Sequence, residues 1–165
     1  LSTPEAGSHR VALVLLLATA ALLSVVIGGY VVLRPRALAT EPAPLADDPA
    51  CAAVAARWPD QVAGRPRVTV AGDPRGVAAW GDPVIVARCG VVPPPPSTND
   101  CVAADGVDWV ARGGGQPASG MVFVSYGRSP AIEVTVPAAY APEPMVLGAF
   151  AEAARQIGQG EHRCR

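Results

Sequence analysis

Residues Val11 to Leu33, VALVLLLATAALLSVVIGGYVVL, contain no charged side chain and are flanked by Arg10, Arg34 and Arg36. As a helix of about 23 residues rising ~1.5 Å each, the run would reach roughly 34 Å, against a bilayer core of about 30 Å. It predicts an uncleaved transmembrane anchor over residues 11–33, after a short tail over residues 1–10. A cleaved signal peptide competes with this reading, because Ala37-Leu38-Ala39 has a small-x-small cleavage pattern. However, the run exceeds the roughly 7–15 apolar residues of a signal peptide, and Arg34 and Arg36 separate it from that site. Gly28 and Gly29 would let a second helix approach the outer end of the anchor.

Orientation rests on the cysteines. The flanking arginines weakly favour a cytoplasmic C-terminal side. Cys51, Cys89, Cys101 and Cys164 all follow the run, with no C-x-x-C pair and no accompanying histidine cluster. That pattern reads as two disulfides in an oxidising compartment, not as a zinc site. The expected localisation is the cell membrane, with the N-terminus cytoplasmic and the C-terminal domain extracytoplasmic.

Composition removes several chemistries. All basic residues are arginine, which excludes a P-loop lysine, a Schiff-base lysine and a Ser-Lys hydrolase. His9 and His162 are the only histidines. Acidic residues slightly outnumber arginines beyond Arg36, so the basic stripe of a nucleic-acid surface is missing. No cofactor and no metal are expected.

Residues 34–49, RPRALATEPAPLADDP, read as a Pro/Ala-rich linker, leaving an extracytoplasmic domain over residues 50–165. Asp48-Pro49 is an N-cap followed by proline at the first helical position, and Cys51, Val54, Ala55 and Trp58 share one helical face. Arg67 to Ala71 suggests an edge strand, Val84 to Cys89 a buried strand, and Val107 to Ala111 another. Pro93 to Pro96 stiffens a loop, and Gly113 to Gly120 is a flexible connection. Val122 to Tyr126 and Ile132 to Val136 form a hairpin around Gly127-Arg128-Ser129-Pro130. Glu133 and Thr135 fall on the wet face of its second arm. Pro144 to Ile157 reads as a final helix ended by Gly158 and Gly160. The expected fold class is α+β: an N-terminal transmembrane helix plus a small antiparallel sheet of about four strands, two helices on one face, disulfide-bonded. Proximity of element ends suggests Cys51–Cys164 and Cys89–Cys101, one of three pairings that four cysteines allow.

Several short motifs appear in one order: Cys51 with Val54, Trp58 and Pro59; Trp80-Gly81-Asp82-Pro83; Arg88-Cys89-Gly90-Val91; Gly106-Val107-Asp108-Trp109; Tyr126-Gly127-Arg128; and Val134-Thr135-Val136-Pro137. Over Cys51 to Cys164 the chain resembles the actinobacterial membrane-protein family known as domain of unknown function 3515. The resemblance implies a membrane-anchored envelope protein and supplies no catalytic residue.

Trp80, Asp82, Arg88, Trp109 and Arg128 are the candidate binding residues, since aromatic faces and arginine forks around one groove could hold a sugar ring or a carboxylate. Their structural reading is simpler: Asp82 forms a turn, Trp80 joins the core, and Arg88 pairs with a carboxylate. Asp82, Asp105, Asp108 and Glu133 are the carboxylates a hydrolase would need to bring together. Ser125 or Ser129 with His162 has no nucleophile elbow around it. The expected function is a non-enzymatic, single-pass, membrane-anchored binding module for an envelope protein or cell-wall component. The alternatives are an envelope hydrolase using paired carboxylates and an accessory subunit of a membrane complex.

Overall fold

The computed structural model describes residues 13, 15–25, 38–112 and 120–164. The chain divides into two compact units, Leu1–Arg36 and Ala37–Arg165.

In the first unit residues 13 and 15–25 are helical. The hydroxyls of Thr19 and Ser24 donate back to the carbonyls of Leu16 and Ala20, at 2.9 and 2.8 Å, so neither leaves an unpaired polar group on the helix. Among the described residues no helix is long and apolar enough to cross a membrane. This corrects the expectation of a transmembrane helix; the remainder of Val11 to Leu33, with Gly28 and Gly29, lies outside the described residues, as does most of the Gly113 to Gly120 connection.

The second unit is built on an eight-stranded antiparallel sheet, which corrects the expectation of about four strands. Its elements are β1 (Leu38–Thr40), α1 (Pro49–Ala55), β2 (Gln61–Val62), β3 (Arg65–Val68), β4 (Val70–Gly72), β5 (Val77–Trp80), β6 (Ile85–Val91), β7 (Cys101–Ala104), β8 (Val107–Arg112), β9 (Met121–Ser125), β10 (Ala131–Val136), 3₁₀ turns over Ala138–Tyr140 and Glu143–Phe150, and a single α-turn, α2 (Ala151–Ala154). The strand order is β2-β3-β5-β6-β10-β9-β8-β7, while β1 and β4 form a separate parallel pair. Residues from Leu38 onward, expected as linker, thus enter the fold: Ala43 is buried and the Leu45 amide donates to the Gly90 carbonyl at 2.8 Å.

Four strands escaped the periodicity for a physical reason. β5, VAAW, is buried on both faces, and β7, CVAA, is short, so neither alternates in the β-branched pattern that marks a half-wet strand. β2 has only two residues, and β1 starts inside a Pro/Ala-rich stretch. The predicted Arg67 to Ala71 strand is divided between β3 and β4.

α1 begins as its cap dictates: Asp48 Oδ1 accepts from the Ala50 amide at 2.8 Å, and Pro49 opens the first turn. The expected final helix winds mostly as 3₁₀ before the α-turn. With three residues per turn, Leu147, Phe150 and Ala153 align, and all three are fully buried.

The main core lies between one sheet face and these helical segments. Trp58, Trp80 and Phe150 meet edge to face, with centroids 5.3 to 6.3 Å apart, and Trp80 Nε1 donates to the Pro59 carbonyl at 2.9 Å. A β-bulge lies between Ala131 and Ile132, where the Ile132 amide donates to the Ser125 hydroxyl at 2.9 Å. A smaller cluster, Ala43, Val91, Val124 and Ala131, covers part of the opposite face.

The disulfides are Cys51–Cys89 and Cys101–Cys164. This corrects the expected Cys51–Cys164 and Cys89–Cys101. Consecutive strands β6 and β7 are not neighbours: β10, β9 and β8 stand between them, about 19 Å at ~4.8 Å per strand, whereas bonded cysteines need Cα atoms within about 7 Å. Register also divides the pair. Cys89 is opposite Ile132 and shares the core face, whereas Cys101 is opposite Val110 and shares the other face.

Candidate functional site

A cavity of about 440 Å³ opens on the sheet face opposite the main core, where the loop after the proline tract meets the C-terminal segment. One wall comes from Pro96 to Asn99, where the Ser97 hydroxyl accepts from the Asn99 amide at 2.8 Å and tightens the turn into β7. The other wall is Glu161 to Cys164, and Tyr126 and the Cys101–Cys164 bond also line the space.

The second wall follows from how the chain leaves the core. Ile157 is the last core side chain, and Gly158 and Gly160 then turn the chain around the sheet end. The Gly160 amide donates to the Gly127 carbonyl at 2.6 Å, and Gly127 sits at φ 71°, where a Cβ would fall 2.0 Å from the His162 carbonyl oxygen. Only glycine permits this approach. Gln159 Nε2 donates to the Tyr126 carbonyl at 3.2 Å and to the His162 carbonyl at 2.7 Å. The rings of Tyr126 and His162 lie 5.6 Å apart, and the Cys164 amide donates to Asp108 Oδ2 at 3.1 Å.

Arg128 stands behind this wall. Its Nη1 donates to the Ile157 carbonyl, and its Nε is buried without a partner among the described residues. Burial pulls the guanidinium pKa below its ordinary value; nearby Arg155 and Arg163 add to that pull, and Asp108 opposes it.

The sequence-derived binding residues do not share this cavity. Trp80 and Trp109 are fully buried in the core, Trp109 with no partner for its Nε1 among the described residues. Arg88 projects from the sheet face away from the core, but on β6 with β10 between it and the strands that line the cavity, and its Nε donates to Glu133 Oε1 at 2.7 Å. Asp82 is exposed in the β5–β6 turn, and Arg128 is buried at the β9–β10 turn. The four hydrolase carboxylates are also apart. Asp82 and Asp105 occupy turns at opposite ends of the sheet, Asp108 receives the Cys164 amide, and Glu133 is 8% exposed between Arg88 and Arg112. Glu133, expected on a wet face, is therefore covered and paired. Ser125 faces Ile132 in the core and does not approach His162 as a nucleophile would. Among the described residues no group of three or more His, Cys, Asp or Glu side chains could hold a metal ion.

What the site can do chemically is hold a polar ligand. Tyr126 and His162 present aromatic surface, Ser97, Thr98 and Asn99 present hydroxyl and amide groups, and Glu161 and Arg163 place opposite charges at the rim. Sequence reasoning weighed His162 only as a base for Ser125 or Ser129 and Tyr126 only as part of a motif; it did not bring the two together, because their meeting depends on the C-terminal segment crossing the sheet. The two glycines before Cys164 were the available signal.

A family model described as a protein of unknown function, DUF3515, matches residues 10–159. Neither a curated protein nor a solved structure matches the chain.

Proposed function

This chain belongs to the DUF3515 family, and we propose that it is a non-enzymatic binding module of an oxidising, extracytoplasmic compartment, with the cavity beside Tyr126 and His162 as its ligand site. The observation that carries this reading is the way the cavity is built. Its two walls are a proline-stiffened loop and a disulfide-held terminal segment, so the site is shaped before a ligand arrives. Two disulfides with no free cysteine support the compartment. Mixed aromatic and hydrogen-bonding walls suit a short glycan or peptide of the cell envelope, in which sugar rings stack and amides pair.

The test is a titration of the intact, oxidised chain with soluble cell-wall glycopeptide fragments, followed by NMR. Saturable shifts at Tyr126 and His162 that His162→Ala weakens are expected. Absence of any shift at these residues, or conversion of the fragments to new products, overturns the reading.

A further inference from the structure

The two disulfides occupy different environments. Cys51 is 1% exposed and Cys89 is fully buried, locked between α1 and the core face of β6. Cys101 is exposed and Cys164 half-buried, and both line the cavity. A thiolate must reach one sulfur of a bond to exchange with it, so access decides which bond reacts. The cavity supplies that access at Cys101–Cys164, and close packing denies it at Cys51–Cys89.

The two ends of the exposed bond are also held differently. Cys101 begins β7, which is paired along its length with β8. Cys164 ends a segment without regular secondary structure, whose residues beyond Ile157 are exposed or half-buried. Besides the disulfide, that segment is held by the Gly160 amide on Gly127, the Gln159 side-chain bonds, the Tyr126–His162 ring contact and the Cys164 amide on Asp108. Cutting the bond leaves the strand paired and the segment with these few contacts alone.

We propose that Cys101–Cys164 is a thiol–disulfide exchange site for a protein dithiol, whose reduction releases the C-terminal strap and removes one wall of the cavity while Cys51–Cys89 keeps the core closed. A thiolate of the dithiol attacks Cys101 Sγ; a mixed disulfide forms and Cys164 leaves as thiolate. The second thiol of the partner then attacks its own sulfur in the mixed disulfide and expels Cys101. Two electrons pass to the cysteine pair, the partner ends as a disulfide, and its two thiol protons go to Cys101 and Cys164. The proposal does not depend on what the cavity binds.

The experiment treats the intact, oxidised chain with dithiothreitol at neutral pH without denaturant, quenches with iodoacetamide at intervals, and maps alkylated peptides by mass spectrometry. Cys101 and Cys164 should be labelled roughly tenfold or more faster than Cys51 and Cys89, as expected when only one bond is accessible. The near-ultraviolet circular dichroism of the buried tryptophans should persist, while the His162 imidazole resonances lose the shift imposed by Tyr126. Equal rates, the reverse order, or no labelling without denaturant overturns the proposal. The double variant Cys101→Ser/Cys164→Ser should show the reduced-state His162 resonances; retention of the oxidised-state resonances also overturns it. Should that variant fail to fold, the labelling order in the native chain still decides.

Discussion

Glu133 on β10 lies directly across from Arg88 on β6; its Oε1 accepts from Arg88 Nε at 2.7 Å and lies 2.7 Å from Nη2, while Arg112 Nη1 stands 3.6 Å from Oε2. The carboxylate is largely covered, whereas the Arg88 side chain is 37% exposed, so solvent tempers the pair. Glu133→Ala should cost about 1–3 kcal/mol by leaving Arg88 without its partner on a covered face. Urea denaturation checks the value. Replacing both partners, as Arg88→Met/Glu133→Leu, should recover much of the loss, because the only arginine then left without the carboxylate is Arg112, which is 42% exposed and also donates to the Val92 carbonyl.

Phe150 touches Trp58 and Trp80 edge to face and is fully buried. Phe150→Ala opens a cavity at the junction of the sheet and both helical segments, and should cost about 3–5 kcal/mol. A domain of this size is stable by only ~5–15 kcal/mol, so the midpoint of unfolding by tryptophan fluorescence should fall markedly.

Gly90 and Gly106 both adopt positive φ, 101° and 75°, but their surroundings differ. A Cβ at Gly90 would lie 2.4 Å from the Ala46 amide nitrogen, whereas at Gly106 it would meet nothing within 4 Å. Gly106→Ala should therefore cost only the conformational strain, about 1–2 kcal/mol. Gly90→Ala must also displace the backbone that covers this end of β6, and should cost roughly 3 kcal/mol or more. Thermal unfolding of the two variants side by side tests the order.

Cys51–Cys89 closes 38 residues between α1 and the centre of the sheet. In the chain-entropy account, its removal as Cys51→Ala/Cys89→Ala should cost about 4 kcal/mol. Calorimetry of the double variant checks this, and α1 should be the first element to lose amide protection.

Asp73 accepts from Arg75 Nε at 2.7 Å and from the Arg75 amide at 3.2 Å, and the side-chain bond from Arg75 is the main reason its carboxyl sits below the ordinary carboxylate range. The unfolded chain thus binds this proton more readily than the folded one. The stabilising contribution is complete above the ordinary carboxylate pKa and fades as pH falls through the lowered folded value. The stability difference between the native chain and Asp73→Asn should disappear in acid and shrink with added salt, as followed by denaturation across pH.

Local chemistry was sufficient for the features that depend on neighbours in the chain. Asp48-Pro49 starts α1 because a carboxylate cap and a preset proline φ act within one turn. The hairpin of β9 and β10 follows from alternating β-branched residues around a Gly-Arg-Ser-Pro turn. Four cysteines without metal-site spacing point to disulfides whatever their partners, and the ordered motifs pointed to the family that matches residues 10–159.

Tertiary structure alone decided the number of strands, the cysteine partners and the place of the cavity. Short, Ala-rich β5 and β7 become strands because the sheet supplies their hydrogen bonds and burial; their own propensity is too weak to announce them. The Cys51–Cys89 and Cys101–Cys164 pairings depend on β10, β9 and β8 lying between two strands that are consecutive in the chain. The apolar run promised a membrane span by length alone, yet among the described residues no helix is long and apolar enough to make one. Tyr126 and His162 meet only because the segment after Ile157 turns at the sheet end and is tied down at Cys164. Caps, turns and alternation act over a few residues and can be read in order, whereas pairing across a sheet and closure by a distant sulfur depend on where the whole chain has gone.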